Sequence, residues 1–203
     1  MKLYFSKGAC SLATRITLNE LGIGAEYESV DLKTKKTATG EDFLKINPKG
    51  AVPAILLDDK TVLTENAAIL QYLADLKKAD HLLPPVFDRQ RYSIIEWLNF
   101  IATDLHKGCG VFFNPLIPDT LKNTLFRPLL VSKLKRVEDQ LAKTAWIGGS
   151  HFTLPDAYLF VILRWLPYIQ IDMVKDFPQS ARYFETLKNR DSVMKSLKEE
   201  DLA

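Results

Sequence analysis

Cysteine is scarce in this chain: Cys10 and Cys109 are the only two in 203 residues, which excludes a disulfide-stapled secreted scaffold. Long apolar runs are missing as well. No window approaches the roughly 18 consecutive apolar residues that a membrane-spanning helix needs. The opening Met1-Lys2-Leu3-Tyr4-Phe5-Ser6-Lys7 has no extended apolar stretch ahead of a small-residue cleavage site, so no secretory signal is expected. Both thiols are therefore expected to be free, in a reducing cytoplasm. Nor is there an excess of one charge. Lys plus Arg number 27 against 25 Asp plus Glu, a formal net charge of +2, and nothing in that balance calls for nucleic acid or an acidic membrane as partner. Nine glycines and ten prolines are too few for a fibrous or disordered chain, whereas 47% hydrophobic and 26% charged residues suit a packed core. Repeats and low-complexity tracts are absent, so function must reside in local constellations.

What is there divides into two patterns. Lys2-Leu3-Tyr4-Phe5 reads as a strand, Ser11 to Leu21 as a helix stopped at Gly22, and Tyr27 to Leu32 as a second strand, which makes a βαβ unit. A polar stretch from Lys33 to Gly40 follows. Glu41 to Ile46 is a short helix ended by Asn47-Pro48-Lys49-Gly50, Ala54 to Leu57 and Thr61 to Leu63 form a hairpin about Asp58-Asp59-Lys60, and Glu65 to about Asp75 is a helix. This order predicts a small mixed α/β sheet carrying helices. Pro84-Pro85, behind the polar stretch Lys77 to His81, marks a boundary, so one domain is expected over 1–81 and an all-helical one over 82–203. In the latter, the helix from Asp88 to about Phe113 presents Tyr92, Ile95, Asn99, Ala102, His106, Cys109 and Phe113 at steps of three and four, the spacing of one face. Further helices are expected over Asp119–Lys143, Thr153–Trp165, Pro178–Asn189 and Asp191–Glu200.

By residue type alone Cys10 reads as a buried small hydrophobe; its place where the first strand hands over to the first helix, among unpaired N–H groups and at the positive end of a helix dipole, favours the nucleophilic thiolate instead. No second cysteine follows two residues on, so redox chemistry would need an external thiol. From its residues alone, Val52-Pro53 reads as a plain strand start or as a cis turn; only the cis form would turn the Val52 backbone outward to pair with a peptide ligand. Thr64 is a candidate N-cap with Glu65 and Asn66 in the first turn; ordinary capping accounts for Thr64 and Glu65 as well as a ligand site would, in which free N–H groups take a carboxylate and Glu65 an ammonium, the two ends of an α-amino acid. Asn99, Thr103 and His106 give one side of the long helix more polarity than a core stripe needs, and His106 could supply a hydrogen bond or proton. His106-x-x-Cys109 with Cys10 lacks a fourth ligand, and no metal site is expected. Gly108 and Gly110 suggest close backbone approach to a ligand, or a bend. Thr153-Leu154-Pro155-Asp156 is a capping signal of purely structural meaning.

Taken together, Gly8-Ala9-Cys10-Ser11-Leu12, Asn47-Pro48-Lys49-Gly50, Val52-Pro53-Ala54, Leu63-Thr64-Glu65-Asn66, Glu96-Trp97-Leu98-Asn99, Leu105-His106-Lys107-Gly108 and Phe152-Thr153-Leu154-Pro155-Asp156-Ala157-Tyr158 resemble the cytosolic glutathione transferases, and most of all the bacterial beta class. The resemblance runs over the whole chain. It implies a thioredoxin-like first domain, glutathione as co-substrate with no other cofactor, a catalytic Cys10 and a homodimer. It further implies that Val52-Pro53 is a cis-proline turn, that Glu65 and Asn66 hold the γ-glutamyl end, that Lys35 meets the glycine carboxylate, and that Asn99, Thr103 and His106 face the same site. A hydrophobic electrophile is the implied second substrate, against Phe112, Phe113 and Trp165, with Cys109 expected to line that pocket. The family more often has Ser where this chain has Asn66, so a side-chain contact to the γ-glutamyl carboxylate would have to come from an amide. Tyr4 and Ser11 are further hydroxyls near Cys10. The rival expectation is a non-catalytic protein of the same fold that binds apolar ligands or a protein partner.

Overall fold

In the computed structural model, which describes residues 1–203, Leu3 and Tyr4 are neighbours in sequence and both buried. They point to opposite faces of strand β1 (Lys2–Phe5), and helices cover both faces. After β1 come α1 (Ser11–Glu20), β2 (Glu26–Asp31), β3 (Lys36–Thr37), α2 (Phe43–Ile46), β4 (Ala54–Leu56), β5 (Val62–Thr64) and α3 (Asn66–Leu76). The sheet order is β3-β2-β1-β4-β5, with β1 parallel to β2 and every other pairing antiparallel. On one face Leu3 and Ile55 pack with Leu18 of α1 and Ile69 and Leu73 of α3. On the other, Tyr4, Val30 and Ala54 pack with Phe43 of α2 and with Val52. The mixed sheet expected from the residues, and the thioredoxin-like domain implied by the resemblance, are both present. Strand β3 lies inside the stretch read only as polar: two residues, pairing Thr37 with Val30 and Lys36 with Asp31, are too short to leave an alternating pattern.

Glu28 of β2 is buried on the α2 side and accepts from Lys2 Nζ at 2.9 Å and Thr39 Oγ1 at 2.5 Å. Burial pushes its carboxyl up, yet hydrogen bonds from Thr39, Lys2 and Thr37 outweigh that and bring it down from 4.5 to about 2. A carboxyl lowered by folding stabilises the fold above its unfolded value and loses that contribution as pH falls through the folded one. Stability is therefore expected to decline between about pH 5 and pH 2, by on the order of 2 to 3 kcal/mol from this group. Urea titrations at pH 7, 4 and 3 check it. In Glu28→Gln this part of the acid limb should flatten, and an unaltered limb would remove Glu28 from the explanation.

The second unit comprises Pro84–Asn189. It contains α4 (Arg89–Phe100), a π-helical stretch (Ile101–His106), α5 (Lys107–Phe113), α6 (Asp119–Leu121), a second π-helical stretch (Lys122–Phe126), α7 (Arg127–Leu141), α8 (Leu154–Trp165), a 3-10 turn (Leu166–Ile169), α9 (Met173–Asp176) and α10 (Pro178–Lys188). Helix α8 is buried on every side from Leu154 to Leu163, which is why its sequence is apolar all round rather than striped. Its start is the expected capping box: Asp156 accepts from Thr153 N at 2.7 Å and from Thr153 Oγ1 at 2.9 Å.

Helix α11 (Asp191–Glu199), expected with the helical half, belongs instead to the first unit, which is Met1–Leu83 together with Arg190–Ala203. Polar matching with α1 explains this. The Glu20 carboxylate receives the Arg190 guanidinium and Ser192 Oγ, and Asn19 Nδ2 donates to Ser196 Oγ at 2.9 Å. Ser192 and Ser196 are buried and small, so the two helices approach closely. Beyond α11, Glu200 accepts from Arg15 Nε and from Gly8 N, both at 2.9 Å, while the Arg15 guanidinium lies 3.8 Å from the Tyr27 ring centroid.

Candidate active site

Gly8 has φ +69°, a conformation that a side chain would strain, and the turn it permits delivers Cys10 to the N-cap of α1. The turn is closed by Ala9 N donating to Ser6 O and by Ser11 Oγ, which accepts from Ser6 N at 3.2 Å. Ser11 is buried and engaged in the loop, and Tyr4 is buried in the sheet core with its phenol pushed up by burial. Neither hydroxyl is placed to substitute for the thiol. Cys10 is 7% exposed, and its Sγ donates to Val52 O at 3.1 Å. The Val52–Pro53 bond is cis, as the family resemblance implied and against the plain strand start that the residues alone allowed.

Lys35 Nζ donates to Gly50 O at 2.7 Å. Asn47, itself buried, knits the intervening loop through Nδ2 to Ala51 O and Oδ1 from Lys49 N. Thr64 is not the N-cap; it ends β5, and the cap falls on Glu65 at φ +73°, ψ 117°. For a residue with a Cβ this backbone costs roughly 1 to 3 kcal/mol and is typical of ligand-binding turns. Glu65 Oε1 pairs with Lys49 Nζ at 2.7 Å, and Lys49 also reaches Thr64 Oγ1. Sequence reading missed Lys49, because two groups 16 residues apart meet only once the hairpin folds.

The Asn66 side chain is bonded on both sides within the fold. Its Nδ2 donates to Cys10 O at 2.7 Å and its Oδ1 accepts from Thr14 Oγ1 at 2.9 Å, so the amide ties the start of α3 to α1 beside the thiol. The amide foreseen for the γ-glutamyl carboxylate is thus engaged within the fold, and backbone N–H groups at the start of α3 are the other candidates for that role.

In the second unit the expected single face breaks up. Tyr92 is 51% and Phe113 50% exposed, whereas Cys109 is wholly buried at the end of a stripe formed by Ile94, Leu98, Ile101 and Leu105. The buried stripe is the neighbouring one, one position earlier along the helix, and it runs through a π-helical stretch at Ile101–His106. Asn99 and Thr103 are exposed, with Thr103 Oγ1 donating back to Asn99 O at 2.9 Å. His106 is half-buried, its Nδ1 is 2.6 Å from Tyr158 Oη, and its ring packs at 5.2 Å on Trp165, which meets Phe113 edge-on. Gly108 serves helix packing rather than a ligand: a Cβ there would stand 3.1 Å from Leu130 of α7.

Cys109 is wholly buried. Burial pushes its thiol up to about 12. It is expected to resist iodoacetamide at pH 8 until denaturant is added, and Cys109→Ala should lower stability by about 1 to 2 kcal/mol as a small cavity opens. Native labelling at Cys109, or a variant as stable as the parent, would contradict this placement.

The whole chain has close relatives. Residues 8–76 match the family description "Glutathione S-transferase, N-terminal domain" and residues 127–191 match "Glutathione S-transferase, C-terminal domain". Glutathione S-transferase GstA of Escherichia coli O157:H7 is 45% identical over 202 residues, covering all of both chains. Among solved structures, a bacterial beta class glutathione S-transferase from Sphingomonas chungbukensis superposes with a TM-score of 0.95 at 39% identity. A sphingomonad glutathione S-transferase complexed with glutathione gives 0.94 at 39%, and both structures match over the full length of each chain. The chain belongs to the glutathione S-transferase family.

Proposed function

We propose that the protein binds glutathione as co-substrate and either conjugates it to hydrophobic electrophiles or exchanges it with disulfides through Cys10. The observation that carries this reading is the Cys10 thiol at the start of α1, bonded to Val52 O and tied through Asn66 to the strained Glu65 turn. Glutathione fits these groups by chemistry. Lys35 receives the glycine carboxylate, the Val52 backbone pairs with the cysteinyl segment, Glu65 takes the γ-glutamyl ammonium in place of Lys49, and the free N–H groups of α3 take the carboxylate. In conjugation the thiolate sulfur attacks the electrophilic carbon and the leaving group departs with the electron pair. In exchange the Cys10 thiolate displaces one half of a disulfide and glutathione then resolves the mixed disulfide. His106 supplies a hydrogen bond or proton to the sulfur, Asn99 and Thr103 supply polar contacts, and Phe112, Phe113 and Trp165 form the apolar wall for the second substrate. The working form is a cytoplasmic homodimer engaged in detoxification, with sedimentation as the check on the dimer.

A panel of electrophiles, peroxides and mixed disulfides offered with glutathione tests the reading. Turnover of at least one class is expected. Tight glutathione binding without turnover of any would favour a ligand-binding role for the same fold.

A further inference from the structure

Two buried polar side chains, Asn66 at the start of α3 and Thr14 in α1, meet beside the backbone of Cys10. Asn66 is 5% exposed and Thr14 wholly buried. Chemistry settles the direction of both bonds. A carbonyl oxygen can only accept, so it is Asn66 Nδ2 that faces Cys10 O, at 2.7 Å. Oδ1 is thereby turned to Thr14, whose hydroxyl must donate, at 2.9 Å. The same Cys10 oxygen accepts from Ala13 N at 3.1 Å, so it is held once by its own helix and once from α3. A carboxylate of the same shape would set oxygen against oxygen, and a serine carries one polar atom where two are used; an amide fits both partners. The peptide unit after Cys10 is planar, so fixing its oxygen fixes the tilt of the backbone from which Sγ, 3.1 Å from Val52 O, extends. An N–H donated to that oxygen also offsets its partial negative charge, which opposes a thiolate on the same residue.

We propose that Asn66 is the positioning residue of Cys10: its amide, itself locked by Thr14, fixes the backbone on which the thiol stands and offsets the charge of the carbonyl beside it. A residue 56 positions away thus sets both the place of the sulfur and the ease with which it carries negative charge. The importance of this for turnover rests on the function proposed above; the effect on the thiol itself does not.

The test alkylates the full-length chain with iodoacetamide in the absence of glutathione, from about pH 6 to about pH 10, and reads modification of Cys10 by peptide mass. In Asn66→Ala the midpoint of the pH–rate profile should rise by about half to one unit, and the rate at pH 7 should fall roughly three- to ten-fold. Thr14→Val should move the midpoint the same way by less, because the amide stays but loses its lock. Thr14→Ser, which keeps the hydroxyl, should match wild type. The charged groups around the turn, Glu65 with Lys49 beside Asn66 and Glu200 with Arg15 behind Gly8, are the same in all of these proteins, so a moved midpoint reports the amide. A structural role alone would lower the melting temperature and leave the midpoint in place, and that result overturns the proposal. A shift in Thr14→Ser as large as in Thr14→Val overturns it too. Should Asn66→Ala fail to fold, the two Thr14 variants decide. A raised midpoint in a protein that turns over no electrophile, peroxide or disulfide would instead overturn the proposed function and leave this assignment standing.

Discussion

Replacing Asp156 with Ala is expected to lower the free energy of unfolding by about 3 to 5 kcal/mol, the usual consequence of removing the acceptor from a buried polar cluster. The carboxylate is wholly buried and accepts four hydrogen bonds, from Thr153 N, Thr153 Oγ1, Ile147 N at 3.0 Å and Tyr183 Oη at 2.5 Å. Burial pushes its carboxyl up while those four bonds pull it down, and burial beside it pushes the Tyr183 phenol well up. The fold therefore relies on the donors as much as on the charge. In Asp156→Ala two backbone N–H groups and a phenol lose their acceptor at once. Thr153→Ala, which removes one hydroxyl, should cost only about 1 kcal/mol. At roughly 2 to 4 °C per kcal/mol for a chain of this size, the Asp156 variant should melt about 10 °C lower. Differential scanning calorimetry of both variants provides the comparison, and equal losses would show that the cluster does not act as a unit.

The second large effect is chemical. Wild type incubated with oxidised glutathione should gain the mass of one glutathione, and Cys10→Ala should gain none. In the reaction the Cys10 thiolate attacks one sulfur of the disulfide, an S–S bond forms to Cys10, and the other glutathione leaves as a thiolate. Position explains the selectivity. Cys10 sits at a helix N-terminus, where N–H groups and the dipole favour negative charge, whereas Cys109 lies inside a helix among Ile94, Leu98, Ile101 and Leu105 with its thiol raised to about 12. Intact-mass spectrometry reads the result directly. An adduct that survives in Cys10→Ala would assign the chemistry to the wrong cysteine.

Much of the first unit was legible because its signals are short in range. Alternation in Lys2 to Phe5 and Ala54 to Leu57, the glycine before Cys10, and the Thr153–Asp156 spacing each act within a few residues and keep their meaning in any context. The strand-to-helix position of Cys10 followed from the same local rules. Where the reading failed, an interaction of long sequence separation had intervened. Thr64 looked like the better cap, but β5 pairing claimed it and moved the cap to Glu65. Asn66 looked free to meet a ligand, but its amide was taken by Cys10 O and Thr14, 56 and 52 residues away.

The long helix shows the same division most clearly. Steps of three and four fit both Tyr92 to Phe113 and the adjacent stripe Ile94, Leu98, Ile101, Leu105 and Cys109, and only packing shows that the second is the buried one. The sequence by itself determined the βαβ start, the mixed sheet, the helical second half and the place of Cys10 at a strand-to-helix turn, since hydrophobic period, turn chemistry and capping are set by neighbours along the chain. Only the tertiary structure decided that Cys109 is core, that Lys49 neutralises Glu65, that α11 returns to α1 and that Tyr158 bonds His106. Each of these depends on residues far apart in the chain, settled by which polar groups find partners and which apolar stripe finds a surface to cover it.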